Sequence, residues 1–433
     1  LSELFRVIKK KIKRSKEVKN AIWLIGGRVV QMILSFFISI LTARYLGPGN
    51  YGIISYAGAY VAFFTSFCSL GINYVIIKDF VDNPKEQGSA IGTTLVLRLI
   101  SSFLSSLMIM GIVGIVDKNE PLTLIVTILC SIALIFQALD TFNYWFQSQY
   151  QSKITSIAIL IAYLATSLYR IILLVTNKGV EWFAFATSVD YICLGVILIW
   201  AYKKNKGPKL TFSLKKGKDL LGKSYHYILS GMMVAIYSQT DKLMLKQLMD
   251  DASVGYYSLA SNINLMWVFV LQAIIDSLYP TILQLYKTDK VAFEKKNRQL
   301  YAIVIYISIV VAFCFVIFGE LIIKSLYGNS YMPSVQPLRI ICWYTLLSYL
   351  GVARNAWIVS EDKQKYLKYM YCTAAILNVG LNFVFIPIWG PSGAASASLI
   401  TQIGTSMVIP CLIKDMRPNV KLMIQAFLLR GIK

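Results

Sequence analysis

Histidine is almost missing from this 433-residue chain, where His226 stands alone. That removes most imidazole acid–base catalysis and most zinc chemistry. Charged residues are scarce too, at 15% against roughly 25% in a soluble domain. A cytosolic globule is therefore excluded. So is disorder, because 57% of residues are hydrophobic and mean hydropathy is +0.61. Paired cysteines are absent: Cys68, Cys130, Cys193, Cys314, Cys342, Cys372 and Cys411 each lie singly in apolar stretches. Neither a disulfide framework nor a metal site is indicated, and no cofactor motif is found. Acidic residues number 21 against 43 Lys and Arg, for a net charge of +22. Such an excess can serve nucleic acid. Here it sits in connections between apolar blocks, which is the pattern of membrane topology, and no nucleic-acid partner is expected.

Long apolar runs dominate what is present. The run Ile22 to Leu41 alone is long enough to span a bilayer at about 20 residues per helix. The expected class is an all-α polytopic membrane protein of about twelve transmembrane helices. Their expected limits are about 20–43, 51–77, 89–116, 121–146, 153–176, 181–202, 220–246, 253–285, 299–325, 334–360, 366–388 and 391–413. Barrel strands would be about 10 residues long with alternating polarity, unlike these blocks. Residues 1–19 carry Leu1, Leu4, Phe5, Ile8 and Ile12 on one helical face and basic residues on the other. This reads as a basic amphipathic interfacial helix, not a cleaved signal peptide.

The N-terminal segment, the even-numbered connections and the tail hold about 32 of the 43 Lys and Arg. The odd-numbered connections hold only Arg44, Lys118, Lys178, Lys246, Lys324 and Arg339. Both termini are therefore expected in the cytoplasm. The expected organisation is an N-lobe at 20–202, a basic cytoplasmic linker at 203–219, a C-lobe at 220–413 and a cytoplasmic tail at 414–433.

An internal repeat supports two halves. The stretch Asn50-Tyr51-Gly52-Ile53-Ile54-Ser55-Tyr56-Ala57 matches Ser253-Val254-Gly255-Tyr256-Tyr257-Ser258-Leu259-Ala260. Trp145-Phe146-Gln147-Ser148 matches Trp357-Ile358-Val359-Ser360, and the run after Gly179 matches the small-residue run Gly390–Ser398. Six spans per half is an even number, so the repeat is parallel, and a substrate path is expected where the halves meet.

The stretch Tyr45 to Gly52, with Asn20 and Arg28 before it, resembles the N-terminal signature of the Wzx-type oligosaccharide flippases. These belong to the multidrug/oligosaccharidyl-lipid/polysaccharide exporter superfamily. Tyr327-Gly328-Asn329-Ser330-Tyr331 and the Gly390–Ser398 run extend the resemblance over nearly the whole chain. The resemblance implies two six-helix lobes around a central cavity. It also implies flipping of undecaprenyl-pyrophosphate-linked oligosaccharide repeat units from the cytoplasmic to the outer leaflet, with no enzymatic step.

Polar residues inside spans are the candidate functional groups, since a buried charge there costs about 2.5–3.5 kcal/mol on insertion scales. Arg28, Gln31, Ser35, Ser39 and Thr42 share one face of the first span. Either they form a buried seam between helices or they wall a wet cavity with Arg28 on a phosphate. Arg98 and Arg354 also lie toward the expected cytoplasmic half, and each either holds the head group or pairs with a carboxylate. Asn262, Gln272, Asn378 and Asn382 are further lining candidates, because an amide in lipid is costly. Tyr144, Trp145, Tyr237 and Tyr344 are candidates for stacking on sugars. Asp140, Asp190, Asp241 and Asp276 are candidates for coupling to H⁺ or Na⁺ or for charge pairing. Arg170 and Lys242 read more simply as interfacial.

The expected partners are a polyprenyl-pyrophosphate-linked oligosaccharide and the bilayer, with a polysaccharide polymerase and a chain-length regulator as further candidates. The alternatives are a flippase for lipid II or a teichoic-type precursor, a cation-coupled multidrug exporter, and, from another class, a membrane-embedded polymerase or glycosyltransferase. Several Arg in the cavity disfavour the drug exporter. Short loops disfavour the enzyme.

Overall fold

A computed structural model describes residues 16–431, except for the side chains of residues 16–25 and of Arg28, Tyr74, Leu229, Ser230 and Tyr237. The amphipathic face expected over 1–19 and the side-chain roles expected of Arg28 and Tyr237 lie outside the described residues. All regular elements among the described residues are helical, and no strand occurs among them.

The first half runs through α1 (Lys16–Cys68), α2 (Asn73–Asp82), α3 (Gln87–Val116), α4 (Pro121–Gln137), α5 (Thr141–Ser148), α6 (Ser152–Val175) and α7 (Val180–Lys204). The second runs through α8 (Leu214–Leu248), α9 (Asp251–Leu265), α10 (Val268–Thr288), α11 (Lys290–Leu326), α12 (Val335–Ala353), α13 (Asn355–Ser360), α14 (Leu367–Trp389), α15 (Pro391–Ile403), α16 (Ile409–Leu412) and α17 (Arg417–Phe427). Among the described residues, nine helical stretches are long and apolar enough to cross a membrane. The chain is a multi-pass membrane protein.

The expected spans fall on helix, but several are interrupted. The first runs into the second as α1, broken at Gly47, whose φ of 72° no L side chain adopts cheaply, and the second breaks again at the turn 69–72 between α1 and α2. The fourth breaks into α4 and α5 across a 3₁₀ turn at Ala138–Asp140. The eighth breaks between α9 and α10, and the tenth breaks at Arg354, between α12 and α13. In the twelfth, a π turn at Gly404–Val408 separates α15 from α16. Such breaks leave carbonyls without intrahelical partners, and inside a membrane these need other donors.

Contacts group the described residues into two compact units: residues 16–45 with 57–235, and residues 46–56 with 236–431. This differs from a simple cut at the linker, because residues 46–56 pack with the second unit and the start of α8 with the first. The first unit's core gathers Ile72, Phe80, Phe142, Trp145, Phe146 and Leu198. Trp145 is buried there, donating from Nε1 to Gln87 Oε1 at 3.0 Å. The second unit's core gathers Ile275, Leu300, Tyr301, Leu350 and Met423 around Trp357, the repeat counterpart of Trp145.

The two copies of the Tyr-Gly motif meet inside the second unit. A Cβ on Gly52 would fall 1.7 Å from the Asp251 carbonyl oxygen, and a Cβ on Gly255 would fall 2.1 Å from that of Pro48. Backbones at this separation admit only glycine on each side.

The basic linker is shorter than expected and is not loose. Helix extends to Lys204 and resumes at Leu214, and the intervening strand of chain lies along α3. Thr211 N donates to Gly88 O at 3.3 Å, and Ser213 N donates to Thr93 Oγ1 at 2.9 Å. Gly88 and Gly92, one turn apart, leave room for it: a Cβ at either would fall within 2.4 Å of a strap carbonyl. Lys216 then pins the start of α8, with Nζ 2.9 Å from Asp79 Oδ1 and 3.0 Å from Glu86 Oε2.

Candidate functional site

Asp241 of α8 is the centre of the most connected polar group in the second unit. It is 3% exposed. Its Oδ1 accepts from Asn382 Nδ2 at 2.7 Å, and its Oδ2 accepts short hydrogen bonds from Tyr257 Oη and Ser398 Oγ. Asn382 Nδ2 also donates to Asn378 Oδ1 at 3.1 Å, and Asn378 Nδ2 reaches Ser398 Oγ at 3.4 Å. Four helices converge here. Asn378 and Asn382 are one turn apart on α14 and so present both amides to one face. Tyr257 comes from α9, and Ser398 from the small-residue helix α15, whose Gly393, Ala394, Ala395 and Ala397 permit close packing.

No Lys, Arg or His nitrogen lies within 4 Å of the Asp241 carboxylate among the described residues. Two oxygen atoms, Asn382 Oδ1 in the cluster and Thr401 Oγ1 three residues after Ser398 on α15, are buried without a hydrogen-bond partner. A desolvated carboxylate costs several kcal/mol, which three donors offset only in part. The cluster is thus rich in oxygen, and Lys242, which acts on Asp241 electrostatically, stays outside ion-pair distance and donates to Gln239 Oε1 at 3.4 Å. An arrangement of this kind can take up a proton or a small hard cation.

Three expected residues, Asp241, Asn378 and Asn382, are brought together here. Tyr257 and Ser398 were not expected as site residues. Both lie in repeat copies named above, but a hydroxyl in an apolar run carries no distinguishing signal.

The expected arginines take a different role from ion pairing. Arg98 of α3 is 4% exposed and lies in a buried stripe with Thr94, Ser101, Ser102 and Ser105. Its guanidinium donates to Gln137 O at 3.0 Å and to Thr141 Oγ1 at 3.2 Å, spanning the break between α4 and α5. Arg354, 5% exposed, donates to Thr405 O at 3.4 Å and Ser406 O at 3.3 Å, carbonyls of the π turn. Among the described residues no carboxylate lies within 4 Å of either. Each guanidinium answers a helix break with its hydrogen bonds and forms no ion pair within 4 Å; Asp140, in the turn that Arg98 spans, acts on Arg98 electrostatically from farther away.

The remaining expected residues are dispersed. Gln31 and Ser35 are half-buried on α1. Asp140 is half-buried in the 3₁₀ turn, and Asp190 accepts from Thr166 Oγ1 at 3.3 Å. Asn262 is exposed and donates to Tyr51 Oη at 2.8 Å. Gln272 donates to Asp276 Oδ1 at 2.8 Å on the exposed face of α10.

The fold is that of known multi-pass membrane transporters. It matches a solved structure described as lipid II flippase MurJ in an inward closed conformation, with a TM-score of 0.72 at 15% identity, covering 94% of this chain and 92% of that one. It also matches an inward-facing multidrug resistance MATE family transporter of the MOP superfamily, with a TM-score of 0.68 at 15% identity, covering 94% and 99%. In sequence, residues 18–286 match the family described as polysaccharide biosynthesis protein, and the chain belongs to that family. A capsular polysaccharide biosynthesis protein, CapF, of Staphylococcus aureus is 22% identical, covering 89% of this chain and 96% of the relative. A protein named as an O-antigen transporter of Escherichia coli K12 is 21% identical, covering 90% and 95%.

Proposed function

We propose that the chain is a flippase for polyprenyl-pyrophosphate-linked oligosaccharide repeat units. It moves the sugar–pyrophosphate head from the cytoplasmic to the outer leaflet of a bacterial cytoplasmic membrane by alternating access, while the polyprenyl tail stays in lipid. The reading is of a transporter and not a polymerase. The observation that carries it is the near full-length match to relatives named for O-antigen transport and capsular polysaccharide biosynthesis, on a fold shared with a lipid II flippase. Lipid II is the nearest alternative substrate for the same reason.

The electrostatics supports an anionic cargo. A positive charge held by neutral dipoles in a poorly polarisable region projects a strong field, whereas one paired with a carboxylate does not. Arg354 is of the first kind, and Arg98 is close to it, with Asp140 acting on it from beyond ion-pair distance. In this reading they and Arg28 attract the dianionic head, with Gln31, Ser35, Asn262 and Gln272 as further contacts. Asp241, with Asn378, Asn382, Tyr257 and Ser398, is the coupling site for H⁺ or Na⁺, because a buried carboxylate that gains or loses a cation changes the energy of its whole lobe.

Translocation in proteoliposomes loaded with a lipid-linked oligosaccharide tests this. At matched reconstitution, Arg98→Ala is expected to slow translocation at least about tenfold, a loss of ~1.4 kcal/mol of stabilisation. Asp241→Asn is expected to make the residual rate indifferent to imposed proton and sodium gradients. An unchanged rate in Arg98→Ala overturns the head-group role, and a preserved gradient response in Asp241→Asn overturns the coupling role.

A further inference from the structure

The second unit carries a basic cavity that takes no part in the reading above. About 900 Å³ in volume, it opens among the start of α11, the turn after α13 and the start of α17. These segments belong to the connections and tail that the charge asymmetry assigns to the cytoplasm. Its wall holds six cations, Lys290, Arg298, Lys363, Lys414, Arg417 and Lys421, against three carboxylates, Glu294, Glu361 and Asp415.

Internal pairing accounts for part of this charge. Lys363 is 3.3 Å from Asp415, and Arg298 is 3.7 Å from Glu294. A hydrogen bond from Tyr366 Oη at 2.7 Å, and then Lys363, hold the Asp415 carboxyl below its ordinary range, so it stays anionic and keeps Lys363 occupied. Arg298 is further tied to Gln425 Oε1 and Gly431 O. Lys290, Lys414, Arg417 and Lys421 have no carboxylate within 4 Å among the described residues. Of these four, the last three cluster around the N-terminal turns of α17.

The cavity continues into an apolar groove. The groove, of about 360 Å³, shares Arg417, Lys421 and Gln425 with the cavity and is lined onward by Val420, Ile424 and Leu428. Ile424, on α17, and Leu428, just past its end, are each 50% exposed. A phosphate seat that leads without a step into an exposed apolar channel has the shape of a lipid, not of a soluble anion.

We propose that the cavity and groove hold one acidic glycerophospholipid of the adjoining leaflet. Its phosphate lies among Lys414, Arg417 and Lys421, and an acyl chain lies along Ile424 and Leu428 over the buried Val420. The lipid fastens α17 to the rest of its unit at the membrane surface. The site is separate from the Asp241 cluster and does not depend on which substrate is flipped.

Native mass spectrometry of the full-length chain tests this, with phosphatidylglycerol, phosphatidylcholine, polyprenyl monophosphate and inorganic pyrophosphate as probes. One phosphatidylglycerol is expected to stay bound where phosphatidylcholine does not. Arg417→Gln with Lys421→Gln is expected to lower its retention at least tenfold. Both side chains are exposed, and Lys414→Gln, in a different turn, provides a second variant expected to weaken retention without touching α17. Phosphatidylglycerol is also expected to raise the melting temperature of the native chain and not of the double variant. Equal retention of phosphatidylcholine, or undiminished retention in both variants, overturns the proposal. So does displacement by equimolar polyprenyl monophosphate, which would make the site a substrate-loading site, or by pyrophosphate, which would make it a soluble-anion site.

Discussion

Lys216 shows how much one side chain can decide in the first unit. Its ammonium group meets Asp79, whose side chain is 5% exposed, and no other Lys or Arg nitrogen lies within 4 Å of that carboxylate among the described residues. Removing one member of a buried pair strands the other, at a cost of about 3 kcal/mol or more. Lys216→Met is therefore expected to lower the melting temperature of the purified protein clearly, and Asp79→Asn on top of it to restore much of the loss; intrinsic fluorescence melting reads both. Single residues were legible in the sequence to very different degrees. An Asp or Asn in an apolar run stands out, which is why Asp241, Asn378 and Asn382 could be singled out in advance. What each polar group meets was not legible. The partners of Arg98 and Arg354 are main-chain oxygens at helix breaks and, for Arg98, the Thr141 hydroxyl as well, and a break of that kind has no residue signature. Tyr257 and Ser398 were hidden because hydroxyl residues are ordinary in membrane helices.

Among the elements, the closest approach described is that between the segment around Gly52 and α9 at Gly255. Adding a methyl group at Gly52 forces two backbones apart, so Gly52→Ala is expected to destabilise by about 3 kcal/mol, the upper end of the usual overpacking cost. Gly58→Ala is the matched control, because a Cβ there meets nothing within 4 Å. Denaturation of the two variants in the same detergent compares them, and equal stability would mean that the crossing relaxes freely. The helices themselves were readable as apolar runs of membrane length. Their interruptions at Ala138–Asp140, Arg354 and Gly404–Val408 were not, since no proline lies in any of them to mark the bend.

At the scale of the whole molecule, two physical signals act together: apolar length sets the spans, and the placement of Lys and Arg sets their direction. Substituted-cysteine labelling checks the direction in a background with the seven native cysteines replaced. Lys178→Cys is expected to react with a membrane-impermeant maleimide added outside intact cells, and Lys365→Cys only after permeabilisation. The reverse pattern would invert the orientation. The repeat led to an expectation of two halves cut at the basic linker. That residues 46–56 pack with the second unit was not legible, because it follows from the Gly52–Gly255 approach and not from chain order.

The short piece of chain between α7 and α8 has a practical consequence. Read from composition, it is the natural place to splice in a fluorescent reporter or to divide the gene into two co-expressed fragments. Laid against Gly88 and Gly92 and latched by Ser213 and Lys216, it behaves as part of the wall it crosses. A cargo domain inserted at 209–211 would pry it off, whereas the exposed residues at 203–206, just ahead of the latch, leave the wall whole.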